Sequence, residues 1–227
     1  MASPAVAAIA EPVSPKSLAD KAYDRLIELI TRLELAPGSV LAEKVLMAQL
    51  GIGRTPIREA LQRLALEGLV HHQPNRGMFV SEISAASVQH IYEFRSLIDG
   101  HAARLAALRA AADNVAELTM MRENLVAAIE RDDIDGFVAS DRGFYESLAR
   151  AAENTYLGEV IPRIFNLHLR LWFYISKKTG TWHDIARAHA GMVEAVVDAI
   201  ARKDPEDAES AVKAYVADRH RDIRDLL

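Results

Sequence analysis

The chain has 227 residues, half of them apolar, carries a net charge of −5 and contains no cysteine. That length allows one or two domains with a sizeable core, while disulfide and thiolate chemistry are excluded and a reducing cytoplasm is the fitting compartment. No apolar run reaches the roughly 18 residues that a membrane-spanning helix needs, so no membrane partner is expected.

Residues 1–15 (MASPAVAAIAEPVSP) are small, contain proline and lack a basic start. They read as a disordered arm rather than a signal peptide. Residues 17–33 are predicted helical, with Leu18, Ala22, Leu26, Leu29, Ile30 and Leu33 at helical spacing. Pro37-Gly38 ends that segment in a turn. Residues 42–50 form a second short helix closed by Gly51, and a third runs from about Gly53 to Glu67 and stops at Gly68. Leu69-Val70 and Met78–Val80 are short strand candidates around the turn-rich QPNRG. From Ser84 onward every signal is helical, in segments 85–110, 114–131, 134–150, 155–178, 182–202 and 205–226. Pro162 lies inside the fourth and should kink or split it. In the last segment Ala208, Ala211, Val212, Tyr215, Val216 and Ile223 share one stripe. Six amphipathic helices must bury their stripes on one another, which predicts an antiparallel bundle.

The charge divides with the elements. Residues 16–80 hold nine Lys and Arg against seven Asp and Glu, a balance of +2; the remainder holds 18 against 25, a balance of −7. A mildly basic front joined to an acidic back suggests two tasks. Any binding of nucleic acid by the front must rest on placed arginines rather than on bulk attraction.

Such a placement is present in GIGRTPIREALQRLALEGLVHHQPNRGMFV (51–80). Ile57, Leu61 and Leu64 recur at i, i+4 and i+7 and face a small core, which leaves Arg54, Arg58 and Gln62 together on the opposite face. Arginine reaches phosphates or a guanine edge in the major groove, and glutamine reads adenine. Pro56 pre-sets the first turn of the helix, and Thr55 or Gly53 can cap it. The helix N-terminus would point at the duplex. In the hairpin, Arg76-Gly77 is shaped to enter a minor groove. Two arginines one turn apart are usually a solvated face; the preceding short helix, the proline and the Gly-Arg hairpin argue against that here.

The segment LAPGSVLAEKVLMAQLGIGRTPIREALQRLALEGLVHHQPNRGMFV resembles the DNA-binding domain of GntR-type bacterial transcription regulators, with RTPIREAL, EGLV and NRGMFV carrying the likeness over residues 17–81. The resemblance implies a winged helix-turn-helix that binds a short palindrome in double-stranded DNA as a homodimer. By motif position it assigns Arg54, Thr55 and Arg58 to DNA from the recognition helix, Lys44 to the backbone, and Arg76 and Gly77 to the wing tip. Gly53 departs from the Ser or Thr that many members carry.

Farther on, IYEFRSLIDGHAARLAALRA (91–110), DRGFYESLARAAEN (141–154) and AVVDAIARKDPEDAESAVKAY (195–215) resemble the all-helical effector domain of the FadR-like branch. The fold class implied is mainly α: a winged helix-turn-helix over 16–81, then an antiparallel six- or seven-helix bundle over 85–227 that dimerises and encloses a ligand cavity. Many members of that branch hold a divalent metal there with one Asp and three His. In this chain Asp141 is kept, but Tyr145, Val193 and Tyr215 stand where the histidines would be, and a phenol with its pKa near 10 is a poor ligand. Asp141, His189 and His220 form an alternative metal set, since His189 lies one turn before Val193 and His220 five residues beyond Tyr215. A ligand site built from Arg95, Asp141, Tyr145 and Tyr215 is the other reading. Arg95 matches the family arginine that pairs with acidic effectors, and its guanidinium fork favours a carboxylate or phosphate ligand. Arg95 and Asp141 could instead pair with each other, with the tyrosines as core. Phe144, Trp172, Phe173 and Trp182 are read as core or pocket wall, and the remaining histidines as structural or solvated.

The function expected is a cytoplasmic, nucleoid-associated, ligand-responsive transcription regulator sensing a small carboxylate. Two alternatives remain: a constitutive DNA binder whose bundle only dimerises, and a metal-dependent helical enzyme. The second lacks a nucleophile with a base or a clear metal set.

Overall fold

The computed structural model describes residues 16–180 and 182–224. The arm over 1–15 lies outside the described residues. Three helices come first: α1 (Leu18–Thr31), α2 (Glu43–Leu50) and α3 (Arg54–Leu66). Ser17 caps α1 in a reciprocal capping box with Asp20, which satisfies two of the amide donors that a helix start leaves open. Gly51 closes α2 in the left-handed region, at φ 65°, which glycine adopts without the strain a side chain brings. Gly53 caps α3 without a side-chain bond.

The hairpin is longer than the sequence suggested. Strand β1 runs Val70–Gln73 and β2 runs Gly77–Val80, paired antiparallel with His71 opposite Phe79. Those two rings stack across the ladder at 5.9 Å, extending it past the apolar residues. Residues 39–41 add a further edge that sequence reading assigned only to a turn. Val80 donates to Ser39 and Leu41 to Met78, with Val40 bridged to Phe79. A small core of Leu26, Ile30, Leu46, Ile57, Leu61, Leu64 and Val80 holds this head together.

The second part is a bundle of α4 (Ala85–Arg109), α5 (Ala112–Glu130), α6 (Ile134–Ala151), α7 (Thr155–Thr179), α8 (His183–Ala201) and α9 (Pro205–Arg224). These are the six helices the breaks in the sequence predicted. Asp133 and Asn154 cap α6 and α7, and Gly180 closes α7 in the left-handed region. Pro162 does not split α7, which is one helix from 155 to 179. The carbonyl that loses its partner belongs to Gly158, on an exposed side of the helix, so water can take the place of the missing N–H.

Helix α7 touches both parts. Its Leu167 packs on the head core, while Leu33 and Ile83 of the front pack on the bundle core. Arg32 pairs with Asp135 on α6, and Lys177 Nζ donates to the carbonyl of Arg32 at 3.1 Å.

Aromatic rings fill the bundle at the α6–α7–α8 junction. Phe137 lies 5.4 Å from Trp172 and 5.7 Å from Trp182, ring centre to ring centre, and is fully buried. Phe137→Ala removes a ring from a close-packed site and should cost about 3–5 kcal/mol of bundle stability. Because both tryptophans of the chain border that ring, their fluorescence should report the loss in urea denaturation; an unchanged midpoint would contradict this packing.

Candidate DNA interface and buried polar cluster

The orientation of α3 is fixed from α1. Arg63 pairs with Asp20 at 2.7 Å and lies over the Tyr23 ring at 4.0 Å, and the Tyr23 hydroxyl donates to Glu67 at 2.7 Å. With Ile57, Ala60, Leu61 and Leu64 facing inward, the outer face of α3 carries Arg54, Thr55, Arg58 and Gln62, all exposed. The arginine side chains keep 64% and 58% of their surface in solvent. They are nevertheless aimed by one carboxylate: Glu43 Oε1 accepts from Arg58 Nε at 2.6 Å and Glu43 Oε2 lies 3.7 Å from Arg54 Nε. This bond and charge raise the Arg58 pKa above its ordinary value. Sequence reading missed Glu43, because a contact across the turn between α2 and α3 has no local spacing signature.

Lys44 is exposed at the start of α2. At the wing, Asn75 and Gly77 take positive φ (61° and 96°), turning the chain so that Arg76 is presented at the tip. Arg76 lies over the Phe79 ring at 5.6 Å, a contact that steadies an exposed cation. A groove of about 620 Å³ lies between α2, α3 and the wing, lined among others by Glu43, Arg58, Gln62, Arg76 and Gly77. Both reading elements therefore border one concave, arginine-bearing surface.

The bundle residues singled out from the sequence meet in its interior. Arg95 on α4, Asp141 and Tyr145 on α6, His189 on α8 and Tyr215 on α9 are all buried. Arg95 Nη2 donates to the Tyr145 hydroxyl at 2.5 Å, and His189 Nε2 lies 2.6 Å from Asp141 Oδ1. The Tyr215 ring is 5.2 Å from that of His189. The alternative Arg95–Asp141 pairing does not form. Arg95 instead holds Asp99, four residues on along the same helix, Nε to Oδ2 at 2.7 Å, with both side chains 2% exposed. The i, i+4 spacing of opposite charges was a visible signal.

Burial sets the protonation here. It opposes the Arg95 charge, but nearby groups outweigh it and hold the guanidinium protonated. The Tyr145 hydroxyl is pushed well up by burial and stays neutral, so Asp99 is the counter-ion that matters near neutral pH. Burial raises the Asp99 carboxyl itself, against the pull of Arg95. Tyr215 is raised by the same cause, and His168 is driven well below its ordinary value and stays neutral. His168, which sequence reading left as structural or solvated, sits edge-on to Tyr92 at the border of this cluster.

Three groups in the cluster have no partner: Arg95 Nη1, His189 Nδ1 and the Tyr215 hydroxyl. Buried polar groups left open are costly: Arg95 Nη1 and the Tyr215 hydroxyl are open donors, while His189, whose Nε2–H faces Asp141, leaves a lone pair on Nδ1. The family's metal set does not fit these residues. Val193 supplies no donor, both phenols are held neutral, and Asp141 and His189 touch at 2.6 Å. Two ligands on one zinc-sized ion stand roughly 3 Å apart. His220 does not join them; it stacks on Tyr92 at 5.5 Å. Among the described residues no three His, Cys, Asp or Glu side chains gather around a metal position.

With this geometry in view, the comparisons decide the family. Residues 18–80 match the model for bacterial regulatory proteins of the gntR family, and residues 90–218 match the FCD domain. The chain belongs to the GntR family of transcription regulators, with an FCD domain. It is similar to an uncharacterized HTH-type transcriptional regulator in the TAR-I ttuE-ttuC′ intergenic region of Agrobacterium vitis, at 36% identity over 66% of this chain and 90% of the relative. It is also similar to a probable D-xylose utilization operon transcriptional repressor of Paenarthrobacter nicotinovorans, at 29% identity over 88% of this chain and 86% of the relative. Other relatives are matched over about half of their own length. The fold is shared with the solved structure of E. coli McbR/YncC, TM-score 0.79 at 23% identity, covering 93% of this chain and 99% of that one. Regulators of this family bind DNA and their FCD domains bind small effectors; these relatives are transcription regulators, not enzymes. Among the described residues no helix is long and apolar enough to cross a membrane.

Asp99→Ala would leave Arg95 charged, buried and without its counter-ion, at a cost of about 3–5 kcal/mol. Urea denaturation followed by circular dichroism measures it, and a variant as stable as the parent would show that Asp99 does not neutralise Arg95.

Proposed function

We propose that the chain is a ligand-responsive regulator, a repressor by analogy with its named relatives, that binds a short palindromic operator as a homodimer. It works in the bacterial cytoplasm, at the nucleoid when bound to DNA, and senses a small acidic metabolite in its bundle. The observation carrying the reading is the pair of exposed guanidiniums at 54 and 58, aimed by Glu43 beside Arg76 and Gly77 of the wing. In this reading Lys44 meets the backbone, Thr55 and Gln62 lie at the groove edge, and Arg58 reads a base. Phe94, Leu97 and Leu108 support the homodimer. They form an exposed apolar stripe along α4, the kind of surface that a second copy covers.

The effector reading rests on the unpartnered donors of Arg95 and Tyr215. A carboxylate placed among them would pair with the free face of Arg95 and accept from Tyr215, while Asp141 orients His189 and Tyr145 holds the other arm of the fork. An effector shifts DNA affinity only by binding one arrangement of the bundle better than another.

Selection of operators from random duplexes, followed by sedimentation of the complex, tests the first half; one chain per selected site would overturn the homodimer. Arg58→Ala should weaken binding to the selected operator by about 1–3 kcal/mol and relax its specificity. A variant binding as tightly as the parent would remove Arg58 from the interface. Titrating small carboxylates onto the operator complex tests the second half. Tyr215→Phe keeps the ring and removes one donor, so it should weaken the response by about 1–2 kcal/mol and leave affinity for DNA unchanged. If no carboxylate alters DNA binding or thermal stability, the bundle serves assembly alone.

A further inference from the structure

Away from the buried cluster, the junction between head and bundle holds a second charged group that the reading above leaves without a task. Arg170 on α7 is 3% exposed. One arm of its fork donates to the carbonyl of Ser81, where the chain leaves the wing. Its Nε is buried and has no partner. Among the described residues no carboxylate lies within ion-pair distance of it. Glu82 is the nearest candidate, but its carboxylate is turned toward Gly38 of the head, with Oε1 only 2.1 Å from where a Cβ at that glycine would stand. Burial accordingly draws the Arg170 pKa down to about 10, with Glu82 opposing the shift only from a distance. Among the described residues the other buried Lys or Arg of the bundle, Arg95, has Asp99 beside it.

Arg170 borders a cavity of about 270 Å³. Its apolar wall is made by Ile83 from the linker, Ile91 from α4, and Leu167 and Leu171 from α7; Gly68, Ser81, Glu82, Ser87 and His90 complete the lining, with the Glu82 carboxylate turned toward Gly38. The lining thus joins one buried cation to four branched aliphatic side chains. We propose that this cavity is a second small-molecule site, distinct from the cluster on α4, α6, α8 and α9. It takes a monocarboxylate with a short apolar tail, the carboxylate on Arg170 and the tail against Ile83, Ile91, Leu167 and Leu171. Pairing Arg170 meets a cation that the fold leaves unneutralised, and the tail gains ordinary apolar burial. The walls come from the exit of the head and from the bundle, so an occupant bridges the joint between the parts.

The test is calorimetric titration of the full chain, in buffer free of carboxylates, with butyrate, hexanoate and the neutral hexanamide. Hexanoate should bind more tightly than butyrate. Hexanamide, and hexanoate on Arg170→Gln, should each bind at least about tenfold more weakly, the loss of a charge-assisted pair. Tyr215→Phe, which alters the other cluster, should bind hexanoate as the parent does. The proposal is overturned if hexanoate shows no binding at about 10 mM, a very weak limit for a specific site. It is overturned equally if Arg170→Gln or hexanamide matches the parent reaction, or if Tyr215→Phe abolishes binding while Arg170→Gln keeps it. Should Arg170→Gln fail to fold, the side-chain Nε–H resonance of Arg170 in the unaltered protein gives the answer. It should shift with hexanoate and stay fixed with hexanamide, and a resonance that ignores hexanoate sinks the site.

Discussion

Removing a guanidinium from water costs several kcal/mol even after the surrounding protein relaxes, and the middle of the bundle is arranged around one. Arg95 is held by Asp99 on its own helix and by Tyr145 from α6. Tyr145 in turn sits over its own turn from Asp141, which engages His189 on α8, and His189 faces Tyr215 on α9. Two buried polar contacts thus tie α4 to α6 and α6 to α8, and α9 joins them through the ring of Tyr215. Apolar packing would tolerate small slips of one helix past another; hydrogen bonds of 2.5–2.7 Å between buried groups do not. The register of the bundle is set by this cluster as much as by its aliphatic stripes.

The same polar groups explain what the replaced histidines do. Where Tyr145 stands, its hydroxyl accepts from Arg95, and where Val193 stands there is only apolar filling, 0% exposed. Arg95 and Asp99 neutralise each other, and Arg95 Nη1 and the Tyr215 hydroxyl remain open donors. Open donors call for hydrogen-bond acceptors rather than for a metal ion.

Legibility from the sequence followed the range of the interactions. The head was readable because its signals are local: Pro56 in the first turn, Gly51 closing α2, Arg76-Gly77 in a two-stranded turn. The bundle helices were readable from their breaks, since capping residues such as Asp133 and Asn154 announce themselves. Arg95, Asp141, Tyr145 and Tyr215 are all buried in the bundle, with Arg95 and Tyr145 in direct contact. What was hidden depends on the third dimension. Glu43 reaches Arg58 across fifteen residues, and the 39–41 edge pairs with a strand far along the chain. Nothing in the sequence near His168 or Arg170 distinguishes a buried side chain from a solvated one. The Arg95–Asp99 pair is different: its opposite charges at i, i+4 are legible in the sequence alone.

Helix α7 is where these hidden contacts acquire a common meaning. His168 and Arg170 are two residues apart, so they project to opposite sides of one helix. His168 borders the polar cluster through Tyr92, and Arg170 grips the carbonyl of Ser81 at the end of the wing. Leu167, between the two in direction, packs on the head core. A helix is stiff over so short a span, so any displacement of α7 at His168 would also move its Arg170 contact with Ser81. From there the path to the recognition helix is short, because Ser81 N–H donates to Leu69, which follows α3 by three residues. The head is therefore not a freely tethered module. Its pose depends on α7, and α7 is one wall of the space in which the bundle meets its charges.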